Sequence, residues 1–187
     1  MTQTAEEVRV GADGQIYVAD VGTTLPTSVD DSLDGAFSSA LGFVSEDGVT
    51  ITDGKTVTDI GAWQSFYPIR ELVTAREFSV AFSLRQWNRD TIALAFGGGT
   101  FTDLGTPDTQ YSPPDAATLD ERALVVDYQD GDVNYRLVVP RCLATETVTA
   151  QLARASAADL PITMKVLAPT AGADPWFMLT DDPAVAS

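Results

Sequence analysis

The residues that could do chemistry in this chain are its carboxylates, because the commoner reagents are missing. The sequence has no histidine. That removes the usual general base, the usual metal ligand and every Ser-His or Cys-His nucleophile arrangement. The one cysteine, Cys142, excludes an internal disulfide and any cysteine-based zinc site. Set between Arg141 and Leu143, it reads as a small core hydrophobe. Three acidic groupings remain. Tyr128–Asp132 (YQDGD) has the outline of a calcium loop, but an EF-hand needs a bidentate glutamate six residues after its glycine. That position is Leu137, and both flanks look like strands, so Asp130-Gly131 reads as a hairpin turn. Asp30-Asp31 and Asp181-Asp182 read as solvated loop charge. No carboxylate pair sits in an apolar setting that would usefully shift its pKa. Gly97-Gly98-Gly99 follows a helical run, whereas phosphate-cradling glycines precede one. No catalytic, metal-binding or cofactor-binding residue is therefore expected. Trp63, Phe66, Tyr67, Trp87 and Trp176 could form a sugar-stacking platform, but such residues more often anchor cores and interfaces.

Charge narrows the partners. The net charge is −16, which opposes binding to nucleic-acid phosphates. The same charge suits a surface that repels polyanions. It is unevenly spread: residues 63–96 carry three acids against four bases, and both flanks are strongly acidic. With 187 residues and 44% hydrophobic content, one well-packed domain is expected. No apolar run is long enough for a membrane span. The start, MTQTAEEVRV, lacks the positive region and apolar core of a leader, which predicts folding in a cytoplasm.

The elements that would hold these residues are mostly short strands. Four Asp-Gly pairs, at positions 13–14, 47–48, 53–54 and 130–131, predict turns between alternating apolar runs. On this reading Val8–Asp20 is an N-terminal hairpin. Residues Ser45–Thr58 form an extended projecting hairpin with a polar tip at Ser45, Glu46, Asp53, Lys55 and Thr56. Arg76–Leu84 alternates as a half-buried strand, with Phe78, Val80, Phe82 and Leu84 inward. Asn88–Phe96 is the one helix, capped by Asn88, with Asp90 in its first turn and Trp87 packing on Ile92. Its residues Ile92–Phe96 are apolar on all sides, so it should be covered. Gly22–Ser39 and Thr100–Leu119 read as long loops, the first with Leu25, Leu33 and Phe37 as anchors. Arg122–Gln129 and Val133–Pro140 pair across Asp130-Gly131. Glu146–Arg154 and Leu160–Leu167 read as a final strand pair, and Phe177–Leu179 as an edge strand before a frayed acidic end. The fold class is mainly β: an antiparallel sandwich or barrel with one short flanking helix and long assembly loops. The chain divides into an N-terminal hairpin and arm (1–40), a core (41–168) and a C-terminal edge segment (169–187).

An ordered set of motifs carries a resemblance. It begins with Leu41–Val49 (LGFVSEDGV), Asp59-Ile60, Ala62-Trp63 and Glu77-Phe78-Ser79. It continues through Phe82-Ser83-Leu84, Asn88, Phe96-Gly97, Asp127, Asp130-Gly131 and Arg136–Pro140. In this order and spacing the chain resembles the major tail (tail tube) proteins of long-tailed, non-contractile bacteriophages, especially those of actinobacteria. Gln64-Ser65-Phe66-Tyr67-Pro68 departs from the glycines that relatives often carry there. The resemblance implies a structural virion protein and no enzyme. It implies hexameric rings stacked into a tail tube around a tape measure protein, with tail terminator and distal tail proteins at the ends. Double-stranded genomic DNA would pass through the lumen without specific binding. The protein would be assembled in the host cytoplasm and end in the virion tail.

Two sets of residues then become candidates. Glu46, Asp47, Asp53 and Lys55, on the projecting hairpin, are expected to contact a neighbouring ring. Asp59 and Glu71 are expected to face the lumen, where acid would repel DNA. Loops 22–39 and 100–119 would order on assembly. The competing class is a free-standing β-sandwich binding module for carbohydrate or a host surface.

Overall fold

The computed structural model describes residues 7–33, 35–37, 40–115, 119–145, 147–170 and 172–185. Its centre is the hairpin of β6 (Glu121–Asp130) and β7 (Val133–Ala144), joined at Asp130-Gly131 as the sequence predicts. Both strands carry continuous apolar runs, Ala123–Val126 and Leu137–Val139, because both faces are covered. Leu124, Val126, Leu137 and Val139 enter the main core, while Ala123, Val125 and Val138 enter a second one.

The rest of the sheet grows outward from this hairpin. β1 (Asp13–Asp20) pairs with β6 on one side. On the other side β7 carries two partners in turn. Tyr135–Val138 pair with β9 (Phe177–Thr180), and Cys142–Ala144 pair with β8 (Leu160–Val166). β8 pairs with β3 (Arg70–Leu84), and β3 with β2 (Val44–Ile60). All pairings are antiparallel, and the order is β1-β6-β7-β8-β3-β2. The β7–β8 junction spans only three residue pairs. There the sheet turns over, so that Phe78, Val80, Phe82 and Leu84 of β3 and Leu160, Ile162 and Met164 of β8 meet Ile16, Leu124 and Val139. The result is a mainly β, sandwich-like layering with one flanking helix, the expected class. Cys142 is fully buried, and burial pushes its thiol up to about 12, so it is a hydrophobe here and not a reagent.

The helix α1 (Arg89–Ala95) has Asn88 as its cap, with Asp90 in the first turn. The Asn88 carboxamide oxygen accepts from Thr91 N at 2.9 Å, and Thr91 Oγ1 accepts from Asn88 N at 2.9 Å. This reciprocal box contributes about 1 kcal/mol. Only Thr91, Leu94 and Ala95 are buried, and Phe96 is exposed, so the helix lies against the body rather than inside it. Trp87 is half-exposed and donates its indole N–H to Ala158 O at 2.6 Å.

Several expectations are corrected. The segment Val8–Asp20 is not a hairpin: β1 pairs with β6, and Asp13-Gly14 lies inside the strand opposite Gln129 and Tyr128. Gly14 is needed for close approach, since a Cβ there would sit 3.0 Å from Asp127 O. Thr100–Ser112 is no loop. It is a second small sheet of β4 (Thr100–Gly105) and β5 (Asp108–Ser112), held by Phe101 and Phe96 against Tyr111. The expected strand Glu146–Arg154 does not form over 147–154, and β8 takes β3 as its partner instead. Glu146 itself lies outside the described residues, as do Asp34, Ser38 and Ser39 of the first loop. The acidic end is not frayed through Asp182, whose side chain is buried.

The loop after β1 is also not a free arm. Phe37, in a short 3-10 turn (Gly35–Phe37), is fully buried on the second core with Leu25 and Leu33 beside it. Arg136 pins the loop from below. Its Nε and Nη2 donate to Asp127 at 2.7 and 2.8 Å, and its Nη1 donates to Ser28 O and Asp31 O, each at 2.9 Å. Asp31 in turn accepts from Thr27 N, Thr27 Oγ1 and Ser28 N.

A second clasp joins the two ends of the described chain. Arg9 donates to both carboxylate oxygens of Asp182 at 2.7 and 2.8 Å, and Tyr135 O–H donates to the same group. Ala184 N adds a further donor at 2.9 Å. These hydrogen bonds hold the Asp182 carboxyl well below the usual carboxylate range. A depressed folded-state pKa contributes stability above the unfolded value and loses it only as pH falls through the folded one. Asp182→Asn should therefore be less stable than the parent at neutral pH. The gap should begin to narrow as pH falls below about 4, the ordinary carboxylate value, and keep narrowing to the acid end of the range. Urea melts across pH 2–7 would show this, and a constant gap would assign the cost to packing instead.

Candidate assembly surface

The longest strands form the least buried part of the molecule. β2 has 17 residues and β3 has 15, but β8 covers β3 only from Ser79 to Leu84. Among the described residues, β3 from Arg70 to Phe78 has only β2 as a neighbour, and β2 has no second neighbour. Residues 55–60 and 70–77 are exposed throughout. This is a two-stranded ribbon leaving the body, with both edges open and both faces in water. Such a ribbon is marginal by itself, and open edges are templates for pairing with another chain.

The projecting hairpin is therefore real, but its turn is elsewhere. Asp47-Gly48 forms a bulge, with Gly48 at φ +70, where pairing skips from Val44↔Leu84 to Val49↔Phe82. Asp53-Gly54 sits in mid-strand opposite Phe78 and Glu77. The reason is Arg76–Leu84, whose inward residues fix the register of whatever pairs with them and so draw residues 49–54 into the ladder. The turn is Gly61–Ile69. Ile69 N bonds Ile60 O at 2.8 Å, and Ser65 N bonds Ala62 O at 3.1 Å. The Ser65 hydroxyl donates to Tyr67 O at 2.8 Å and accepts from Tyr67 N at 3.2 Å. A serine side chain thus closes the turn.

That tip presents apolar surface to water. Trp63 and Phe66 are completely exposed and Tyr67 nearly so, with Ile69 beside them. A patch of this kind marks an interaction site. The five-aromatic platform is not assembled. Trp176 stacks on Phe78 with ring centroids 4.4 Å apart, and Trp87 packs near Ala158.

The other candidate residues fall as follows. Glu46 and Asp47 lie in the bulge at the base of the ribbon, Glu46 3.8 Å from Arg85. Asp53 and Lys55 lie on β2, opposite Phe78 and Arg76. Asp59 and Glu71 are direct cross-strand partners near the tip. The three sets are therefore strung along one ribbon and do not form a cluster. The exposed aromatic tip was not singled out from the sequence, although Trp63-Gln64-Ser65-Phe66-Tyr67 has no alternation that would bury it in a strand. Between the ribbon base and β1 runs a groove lined by Gly14, Ile16, Phe43, Val49, Ile51 and Gln86, among others. Among the described residues no group of three or more Cys, Asp or Glu is placed to hold a metal ion. Asp181 accepts from Asn134 N and Nδ2 at 2.7 and 2.8 Å, so neither residue of the Asp181-Asp182 pair is loose loop charge.

No curated protein matches the chain. The sequence profile of the family described as phage tail tube protein matches residues 1–187, the whole chain. An open-edged ribbon with an exposed aromatic tip suits a subunit that builds a tube, and the chain belongs to the phage tail tube protein family, which is structural and not enzymatic.

Proposed function

We propose that the protein forms hexameric rings that stack into the tail tube of a long-tailed, non-contractile phage, of the type that infects actinobacteria. The observation that carries this is the ribbon over residues 55–60 and 70–77, which among the described residues has two unpaired edges and no face to bury within its own subunit. In a ring of identical copies, the open β2 edge of one subunit meets the open β3 edge of the next. Such a head-to-tail contact closes when the rotation between copies divides the circle. The ribbons then become the inner wall, and every backbone group along them is paired.

The tube assembles in the host cytoplasm around a tape measure protein, is completed by terminator and distal proteins, and serves as the conduit for ejected double-stranded DNA. The ribbon face that carries Asp53, Lys55, Asp59, Glu71 and Arg76 has three acids against two bases. It continues the core-facing side of β3, but a two-stranded ribbon twists strongly, and the bulge between Thr56 and Val57 adds to the twist. In this reading Asp59 and Glu71 line the lumen, where a slight excess of acid repels phosphate without holding it. The tip at Gly61–Ile69, together with Glu46, Asp47, Asp53 and Lys55, reaches the adjoining ring.

Electron microscopy of concentrated protein tests this. Rings or filaments of uniform diameter are expected. A protein that stays monomeric at every concentration, in the presence of tail initiation components as well, would instead be the free-standing binding module.

A further inference from the structure

The ribbon carries its charge in bands. Lys55 stands directly opposite Arg76, and Asp59 directly opposite Glu71, with Val57 opposite Val73 between them. On β2 these residues alternate, so Lys55, Val57 and Asp59 share one face. On β3 the bulge near Thr74 and Ala75 restores the phase, so Arg76, Val73 and Glu71 share that face as well. The order from body to tip is two cations, two half-exposed valines, two anions.

Within one subunit this is the wrong arrangement. Like charges directly opposite one another on a sheet are destabilising. A ribbon built only for itself would set Lys55 against an acid and Glu71 against a base. Among the described residues none of the four belongs to a salt bridge, whereas the neighbouring Glu77 pairs with Lys165 at 2.7 Å. Two bands of opposite sign, one valine layer apart and without an ion pair in their own subunit, complement a second copy of the same surface.

We propose that the anionic band Asp59/Glu71 of one subunit docks on the cationic band Lys55/Arg76 of the next, which fixes the stagger between adjacent ribbons. The proposal rests on the tube reading above. The bands are four residues apart, or about 13 Å along the strand. A sheet closed from tilted strands is staggered from strand to strand, so an offset of this kind is required by closure in any case. Same-face side chains on adjacent strands are about 5 Å apart, within reach of Lys, Arg and Glu. The contact sets the Val57/Val73 row of one ribbon beside the Asp53/Phe78 row of the next. It also selects against the unshifted register, which would place cations beside cations and anions beside anions.

Charge inversion in the full-length protein tests the pairing. Lys55→Glu/Arg76→Glu makes both bands anionic, and Asp59→Lys/Glu71→Lys makes both cationic. All four positions are exposed, so both variants are expected to keep the parental melting curve. Each alone should need at least tenfold more protein to polymerise, and the defect should shrink as salt is raised. An equimolar mixture of the two should polymerise like the parent, with the variants alternating. The variant carrying all four substitutions should polymerise by itself. Double variants that polymerise like the parent, or a fourfold variant no better than the doubles, would overturn the pairing. A parent that stops at a discrete dimer would overturn the head-to-tail arrangement. A parent that never polymerises would refute the tube reading itself, and the pairing with it.

Discussion

A subunit with Gly61–Ile69 replaced by an Asn-Gly turn between Ile60 and Arg70 is expected to fold normally and to form no tubes. Ile60↔Arg70 is the last cross-strand pair, so a two-residue turn of type I′ continues the existing register. The excised residues include Trp63, Phe66, Tyr67 and Ile69, all exposed, and no core residue. The hydrogen bonds lost are local to the turn, which the Asn-Gly turn replaces, and no core contact is removed. What is removed is a cluster of exposed aromatic side chains available to a partner. Burying one such aromatic contributes on the order of 2–3 kcal/mol, and the contact recurs at every copy in the assembly. Thermal melting should stay within a few degrees of the parent, while sedimentation shows only small species. Tubes of normal length would show that the tip is not part of the contact. Deleting Asp47–Asp53 is a different experiment, because those residues lie in β2 and Val49–Asp53 pair with Phe78–Phe82. That variant should lose the edge strand itself.

The second large effect is expected inside the subunit, at Arg136→Ala. Arg136 is 7% exposed and forms four hydrogen bonds. Its loss strands the Asp127 carboxylate and leaves the carbonyls of Ser28 and Asp31 without their donors. Removing one member of a largely buried ion pair costs several kcal/mol, and about 3 kcal/mol is expected here because Asp127 retains some solvent. Arg136→Lys should recover little, since an ammonium cannot fork across a carboxylate and two carbonyls at once. Urea unfolding gives the magnitude, and limited proteolysis should show new cleavage between Val21 and Leu33. A cost below 1 kcal/mol with the loop still protected would mean that Phe37, Leu25 and Leu33 hold it without help.

These two results divide the molecule as the sequence and the structure do. Local patterning was enough for elements whose partner is adjacent in the chain. The β6–β7 hairpin follows from Asp130-Gly131 between two apolar runs, and the helix follows from Asn88, Asp90 and the stop at Gly97. The inward residues of β3 follow from strict alternation, and the place of Cys142 in the core follows from its neighbours. The ordered motifs from Leu41 onward were likewise sufficient for the family, and the structural role comes with it. Each of these readings needs only neighbouring residues, or the residue types themselves.

Tertiary structure decided everything that depends on a distant partner. An Asp-Gly pair permits a turn but does not compel one, and three of the four pairs make none. Asp13-Gly14 is held straight by β6, more than a hundred residues away, and residues 49–54 are held straight by β3, whose register the main core fixes. The loop after β1 looks polar and free until Arg136 and Phe37 are placed, because its anchors are backbone carbonyls, which a sequence does not distinguish. The expected strand over 147–154 has no edge of β8 to pair with, because β3 takes one and β7 the other. The charge bands are invisible in the order Lys55, Asp59, Glu71, Arg76, which suggests ordinary mixed charge. Only the register of the ribbon, with its bulge at Thr56, sets cation opposite cation and anion opposite anion. Which face a strand residue occupies depends on the pairing of two strands, and one residue of slip reverses it.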